Sequence, residues 1–212
     1  MTKKLILRLS NNLGNQMFMY ASAFALSKML NRELFIDNET AYSDKRNIHK
    51  FDLDKFNISA QKAPSNFMFL GSIGYIKRKS LKYLDKVKIK KNFYIEPRDI
   101  NKSTSFDKNI RNGNYNDPLF VEGHFETEKY FSMFSEDIKN EFKFKNLTHF
   151  ENNSILKDIK STESVSICVR QNRFSERKRD ITPDDEKNSI IFTEDQIKYI
   201  NKSIEIIKSK IN

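Results

Sequence analysis

The chain predicts an α/β protein organised around parallel strands, and three stretches carry that prediction. "KLILRLS" (4–10) is a short apolar run, followed by a one-glycine turn and an apolar-periodic segment from Asn15 to Asn31. A second apolar run, "ELFID" (33–37), comes directly after it. Strand, turn, helix and strand within about 35 residues open a parallel unit whose crossover is right-handed. Far downstream, "SVSICV" (164–169) is again short, apolar and β-branched, with an amphipathic segment beyond it.

In chain order, the first helix is read from Met17, Phe18, Ala21, Phe24, Ala25 and Leu26, with Asn15 as its N-cap and Asn31 as its stop. "NIHKFDLDKFNI" (47–58) suits short extended pieces, and residues 66–84 read as helix despite Gly71 and Gly74. "KNFYIEP" (91–97) and "PLFVEGHF" (118–125) read as strands, and 127–142 as a helix opened by Thr127. "SVSICV" (164–169) reads as a parallel strand with Cys168 buried and inert, and 170–192 as a long charged loop. The last helix spans 193–211, capped by the Thr193–Gln196 pair, with Ile197, Ile200, Ile204, Ile207 and Ile211 as its apolar stripe.

A strand followed by an amphipathic helix normally leads into another parallel strand. The expected organisation is therefore one α/β domain over 1–157 and the opening of a second, incomplete α/β domain over 158–212. The alternative is that the final strand and helix complete the first domain.

Composition narrows the function classes. One cysteine rules out an intrachain disulfide framework and a cysteine-based zinc site. No apolar run approaches the ~18 residues of a membrane span. The net charge of +10 favours anionic partners, but the basic residues are scattered. Nucleic-acid binding, which calls for a concentrated stripe, is not expected. "PDDE" (183–186) has the look of solvated loop carboxylates, and no metal site is expected there.

The chemistry-bearing residues begin at the first turn. Gly14 accepts positive φ and close backbone approach, and Asn15 and Gln16 would stand at a helix N-terminus, where free amides and the macrodipole suit a phosphate. An ordinary βα turn has the same appearance, because neither G-x-G-x-x-G nor a Walker pattern is present.

"NNLGNQMFMYA" (11–21) resembles the "GGLGNQMFQYA" segment of bacterial α-1,2-fucosyltransferases, glycosyltransferase family 11. "IHKFDLDKFNI" (48–58) is similar to that family's "KFxLxxFNI" stretch, and "VEGHFETEKYF" (121–131) to its "EGYFQSEKYF" segment. The family's H-x-R-R-x-D motif is altered here to Cys168-Val169-Arg170-Gln171-Asn172-Arg173, keeping the first arginine. The resemblance implies a GT-B arrangement, with a Rossmann-like acceptor-side domain first and a GDP-fucose-binding domain second. It implies inverting transfer of L-fucose from GDP-fucose to the 2-hydroxyl of a galactose-containing glycan, without a metal.

On that reading Arg170 is the catalytic cation, and Gly14, Asn15, Gln16, Arg170 and Arg173 meet the donor's pyrophosphate. Arg177, Lys178 and Arg179 extend the cationic loop. Bacterial members act in the cytoplasm on surface-polysaccharide precursors, and a basic face suits peripheral contact with the inner membrane or lipid-linked glycans. The second reading is an inactive fragment or an acceptor-binding pseudoenzyme of the same family, suggested by the altered motif. The general base is not identified by the sequence: Glu122, Glu126, Glu128 and His124 all fall in the resembling segment.

Overall fold

The structure is a computed structural model that describes residues 2–43, 49–97, 106–146, 154–176 and 180–211. The chain divides into two compact units, Met1–Leu147 and Thr148–Asn212.

The first unit is a five-stranded parallel sheet with helices against it. Strands β1 (Lys3–Arg8), β2 (Arg32–Asp37), β3 (Gln61–Lys62), β4 (Lys91–Ile95) and β5 (Tyr115–Glu122) lie in the order β3-β2-β1-β5-β4. Leu5, Ile6 and Leu7 of β1 are all buried, as a central parallel strand covered on both faces must be. Leu5 pairs with Leu34 and Leu119, and Leu7 with Ile36 and Val121, so apolar residues form continuous rows across three strands. Leu5, Leu7 and Leu9 face helix α1 (Leu13–Met29). Ile6 faces the other way, with Phe35, Ala63, Met68 and Phe120. Helix α2 (Gly71–Asp85) packs along β4 and bonds to the β5 residue Glu122 on that second face.

Helix α1 begins earlier than the residue pattern suggests, with Asn12 rather than Asn15 at the N-cap, and Asn31 follows it with a positive φ of 49°. Met19–Ser27 is buried without interruption, because loop segments cover the side that the sheet does not. The small side chains of Ala21, Ser22, Ala23 and Ala25 let both neighbours approach.

Elsewhere packing overrides local pattern. The stretch 47–58 contains a 3-10 turn at Leu53–Lys55 and no named strand among its described residues. Residues 66–84 start as a 3-10 turn (Ser65–Phe67), and α2 opens only at Gly71, whose φ is +64°. The expected helix over 127–142 is instead two 3-10 turns, Glu128–Tyr130 and Ser132–Phe134, followed by α3 (Ser135–Glu141). Tyr130, Phe131, Phe134 and Phe142 all pack on the main core, and burying these aromatics outweighs one continuous helical ladder.

The second unit shows two described helices, α4 (Ser154–Ser161) and α5 (Pro183–Ile211). The strand expected at 164–169 is not formed: the stretch pairs with no strand, and Val165 and Ile167 are exposed. A strand needs a neighbour to satisfy its amides and carbonyls, and the described residues of this unit contain none. Cys168 is accordingly exposed rather than buried.

Helix α5 starts ten residues before the expected cap. Thr182 Oγ1 donates to Asp185 Oδ2 at 2.8 Å, and Asp185 N donates to Thr182 O at 3.0 Å. With Pro183 at the first position, "TPDDE" is a capping box, and its acids offset the helix dipole rather than lying in a loop. Thr193 sits mid-helix and back-bonds to Ser189 O at 2.8 Å.

Candidate functional site

In an open α/β sheet, ligands meet the carboxyl ends of the strands where the strand order reverses. Here that place lies between β1 and β5. The amino end is sealed: Arg32 donates to Lys4 O, Asn116 O and Tyr115 O. The carboxyl end carries two unusual turns side by side. Asn11, just after β1, has φ 63°, and Phe125, just after β5, has φ 55°.

Each turn has an identifiable support. Asparagine tolerates the left-handed region better than most residues. The second turn is held by Glu96, whose Oε2 accepts from His124 N at 2.7 Å and Phe125 N at 2.8 Å. Gly123 is required beside it, since a Cβ there would lie 2.4 Å from the Glu96 Cβ. The turns are joined directly: Asn11 Nδ2 lies 3.0 Å from His124 Nε2. An amide NH2 only donates, so Nε2 accepts and the ring proton sits on Nδ1. That nitrogen stands 3.5 Å from the Glu126 carboxylate.

The sequence-derived phosphate turn is altered by these facts. Gly14 lies inside the first turn of α1, is exposed, and has open space where a Cβ would stand. The left-handed residue is Asn11, three positions earlier. Gly14 and Asn15 remain in the first helical turn, where amides lack intrahelical acceptors, and Asn12 supplies no side-chain cap.

Gln16 is committed elsewhere. Its Nε2 donates to Asn11 O at 2.8 Å and Lys50 O at 2.7 Å, its Oε1 accepts from Asp52 N at 2.9 Å, and its own N–H donates to Asn12 O. It is fully buried and pins the 50–52 segment to the turn, so it offers a pyrophosphate nothing. Residue type alone does not separate a ligand-binding amide from a structural one.

On the other face of the sheet the strand alternation places Arg8, Asp37 and Glu122 together. Glu122 Oε1 accepts from Arg78 Nε at 2.7 Å, and its Oε2 accepts from both Arg78 Nη2 and Lys82 Nζ. Burial acts to raise the Glu122 pKa, but the hydrogen bonds and charges of Arg78 and Lys82 together bring it below the ordinary value. Burial lowers the pKa of Lys82 despite its bond to Glu122. The sequence offered no sign of this cluster, because its members are 114 positions apart at the extremes and belong to four elements.

In the second unit, Arg170 forms a two-pronged pair with Glu176 through Nε, at 3.2 Å, and Nη2. Gln196 Nε2 donates to Arg170 O at 2.9 Å, tying the segment to α5. Arg173 lies over the Phe192 ring, 5.0 Å from its centroid. An open pocket of about 530 Å³ beside them is lined by Gln171, Asn172, Ser189 and Thr193 among others. Arg177, Lys178 and Arg179 fall outside the described residues.

Among the described residues no three His, Cys, Asp or Glu side chains gather to hold a metal ion, and no helix is long and apolar enough to cross a membrane. Comparison with family models, with characterised proteins and with solved structures returns no match.

Proposed function

We propose that the chain is a glycosyltransferase of the α-1,2-fucosyltransferase type, using GDP-fucose as donor and a galactose-containing glycan as acceptor. One observation carries the reading. The three segments that resemble that family are knit together by side-chain hydrogen bonds at the carboxyl edge of one parallel sheet. Asn11 of the first reaches His124 of the third, and Gln16 of the first holds Lys50 and Asp52 of the second.

In this reading the acceptor's 2-hydroxyl oxygen attacks fucose C1 while the bond from C1 to the diphosphate oxygen breaks and GDP leaves. The hydroxyl proton needs an acceptor. His124, with Glu126 beside Nδ1, is the group at this edge suited to take it once Nε2 exchanges Asn11 for substrate. Within the second unit, Arg170, with Arg173 beside it, is the cation suited to the charge of a diphosphate through charge-assisted bonds. Gly14 and Asn15 contribute backbone amides; Gln16 contributes architecture.

The pairing of Arg170 with Glu176 favours a second reading, an acceptor-binding family member without transfer activity. Incubating the chain with GDP-fucose and lactose, and measuring both GDP release and fucosylated product, separates the two. The transferase reading expects product that is lost in Arg170→Ala and in His124→Ala. It also expects GDP to raise the melting temperature, since a ligand at 100 times its dissociation constant adds about 2.7 kcal/mol. Absence of product together with an unchanged melting temperature in millimolar GDP rejects it.

A further inference from the structure

The face of the sheet opposite α1 holds a cavity of about 930 Å³ above the ends of β1 and β2. Its lining includes Arg8, Arg78, Thr40, Ser43, Ser72 and Tyr75. Its size falls within the range of about 300–1,000 Å³ that takes a compact ligand.

The two arginines differ in what the protein does with them. Arg78 is anchored by Glu122, which fixes its plane. The Arg8 side chain makes no hydrogen bond or ion pair among the described residues, and its Nε is buried without a partner. The nearby carboxylates are already engaged: Glu122 by Arg78 and Lys82, and Asp37 by the amides of Glu39 and Thr40. Burial and the neighbouring Arg78 lower the Arg8 pKa, and the charges of Glu122 and Asp37 offset them only in part. Half-buried and beside a second cation, this guanidinium costs the fold stability and retains its donors for an external acceptor.

The rest of the lining suits the same acceptor. The first turn of α2 opens at Gly71 and Ser72 on the cavity wall, with no side-chain cap on its amides. Ser43 and Thr40 add hydroxyls. The open guanidinium fork of Arg8, the Arg78 donors left over from its bond to Glu122, free helix-start amides and hydroxyls are the donor set that surrounds phosphate oxygens. Tyr75, half exposed, presents an aromatic face on which a sugar or base ring can stack.

We propose that this cavity binds a phosphate-bearing ring compound, a sugar phosphate or a nucleotide, with Arg8 and Arg78 holding the phosphate. The site belongs to the first unit alone and does not depend on the transfer reaction. Titration calorimetry at low salt tests it, using the full chain carrying Arg170→Ala so that the Arg170 contact proposed above is removed. The probes are GMP, glucose 1-phosphate and inorganic phosphate.

The expected result is saturable binding of GMP or glucose 1-phosphate, tighter than inorganic phosphate. Adding Arg8→Met weakens it about tenfold or more, as loss of a charge-assisted bond implies, while the melting temperature holds or rises. Arg8→Lys, which keeps the charge but not the fork, weakens it less. A preference for GMP identifies the nucleotide as the source, and a preference for glucose 1-phosphate the sugar phosphate. Unchanged affinity in Arg8→Met, inorganic phosphate binding as tightly as both ring compounds, or no binding of any probe at millimolar concentration overturns the proposal. Failure of fucose transfer would leave it standing.

Discussion

Replacing Glu122 with glutamine keeps the side chain's shape and removes its charge. The carboxylate serves three charge-assisted bonds, two from Arg78 and one from Lys82. An exposed pair is worth at most about 1 kcal/mol, whereas breaking a buried one costs about 3–5 kcal/mol. The side chains of Glu122, Arg78 and Lys82 are 10 %, 17 % and 23 % exposed, which places the network nearer the buried limit. Arg8 adds a third cation that the glutamine no longer offsets. Because the two donors can still partly reach water, the expected loss is about 3 kcal/mol. At about 2–4 °C per kcal/mol, that is a fall of roughly 9 °C in melting temperature.

The pH dependence follows from the sign of the shift. Glu122 has a folded-state pKa below its unfolded value. Its stabilisation is therefore complete above the unfolded value of about 4.3 and disappears as pH falls through the lower, folded value. Thermal melts of wild type and Glu122→Gln, followed by circular dichroism at pH 7 and on acidification below about pH 4, should show a gap that closes. A difference under about 0.5 kcal/mol at pH 7, the scale of ordinary surface substitutions, would refute the network's role. A gap that widens on acidification would refute the assigned sign.

One further substitution and one labelling experiment are informative. Gln16→Ala should destabilise the chain by about 3 kcal/mol in urea unfolding, since it strands two carbonyls and an amide at a buried position. Amide exchange at Asp52 should rise with it. Cys168, read from its apolar neighbours as buried, should react with a thiol reagent in the native state at the rate of an exposed thiol; protection that vanishes only on unfolding would contradict its position.

The β1–α1–β2 unit was legible because its information is local. A strand buried on both faces is a continuous apolar run, and a helix covered on most sides repeats apolar or small residues at helical spacing. The "TPDDE" cap was equally local; reading its acids as loop residues passed over a signal that was present. The segments 127–142 and 164–169 were not legible in the same way. In the first, aromatic packing against the core interrupts the helix. In the second, an apolar β-branched run finds no strand to pair with among the described residues.

The sites divide along the same line. Gly14, Asn15, Arg170 and Arg173 could be singled out from residue type and motif, and the amphipathic or buried character of the main elements from periodicity. Whether Gln16 faces a ligand or the backbone of Lys50 and Asp52 depends on a contact 34 residues away. The gathering of Arg8, Arg78 and Glu122 depends on β5 lying next to β1 and on which face α2 covers. Spacing along a chain encodes which side of an element is apolar, but pairwise polar contacts between distant elements arise only when strand order and helix placement bring them within hydrogen-bond reach.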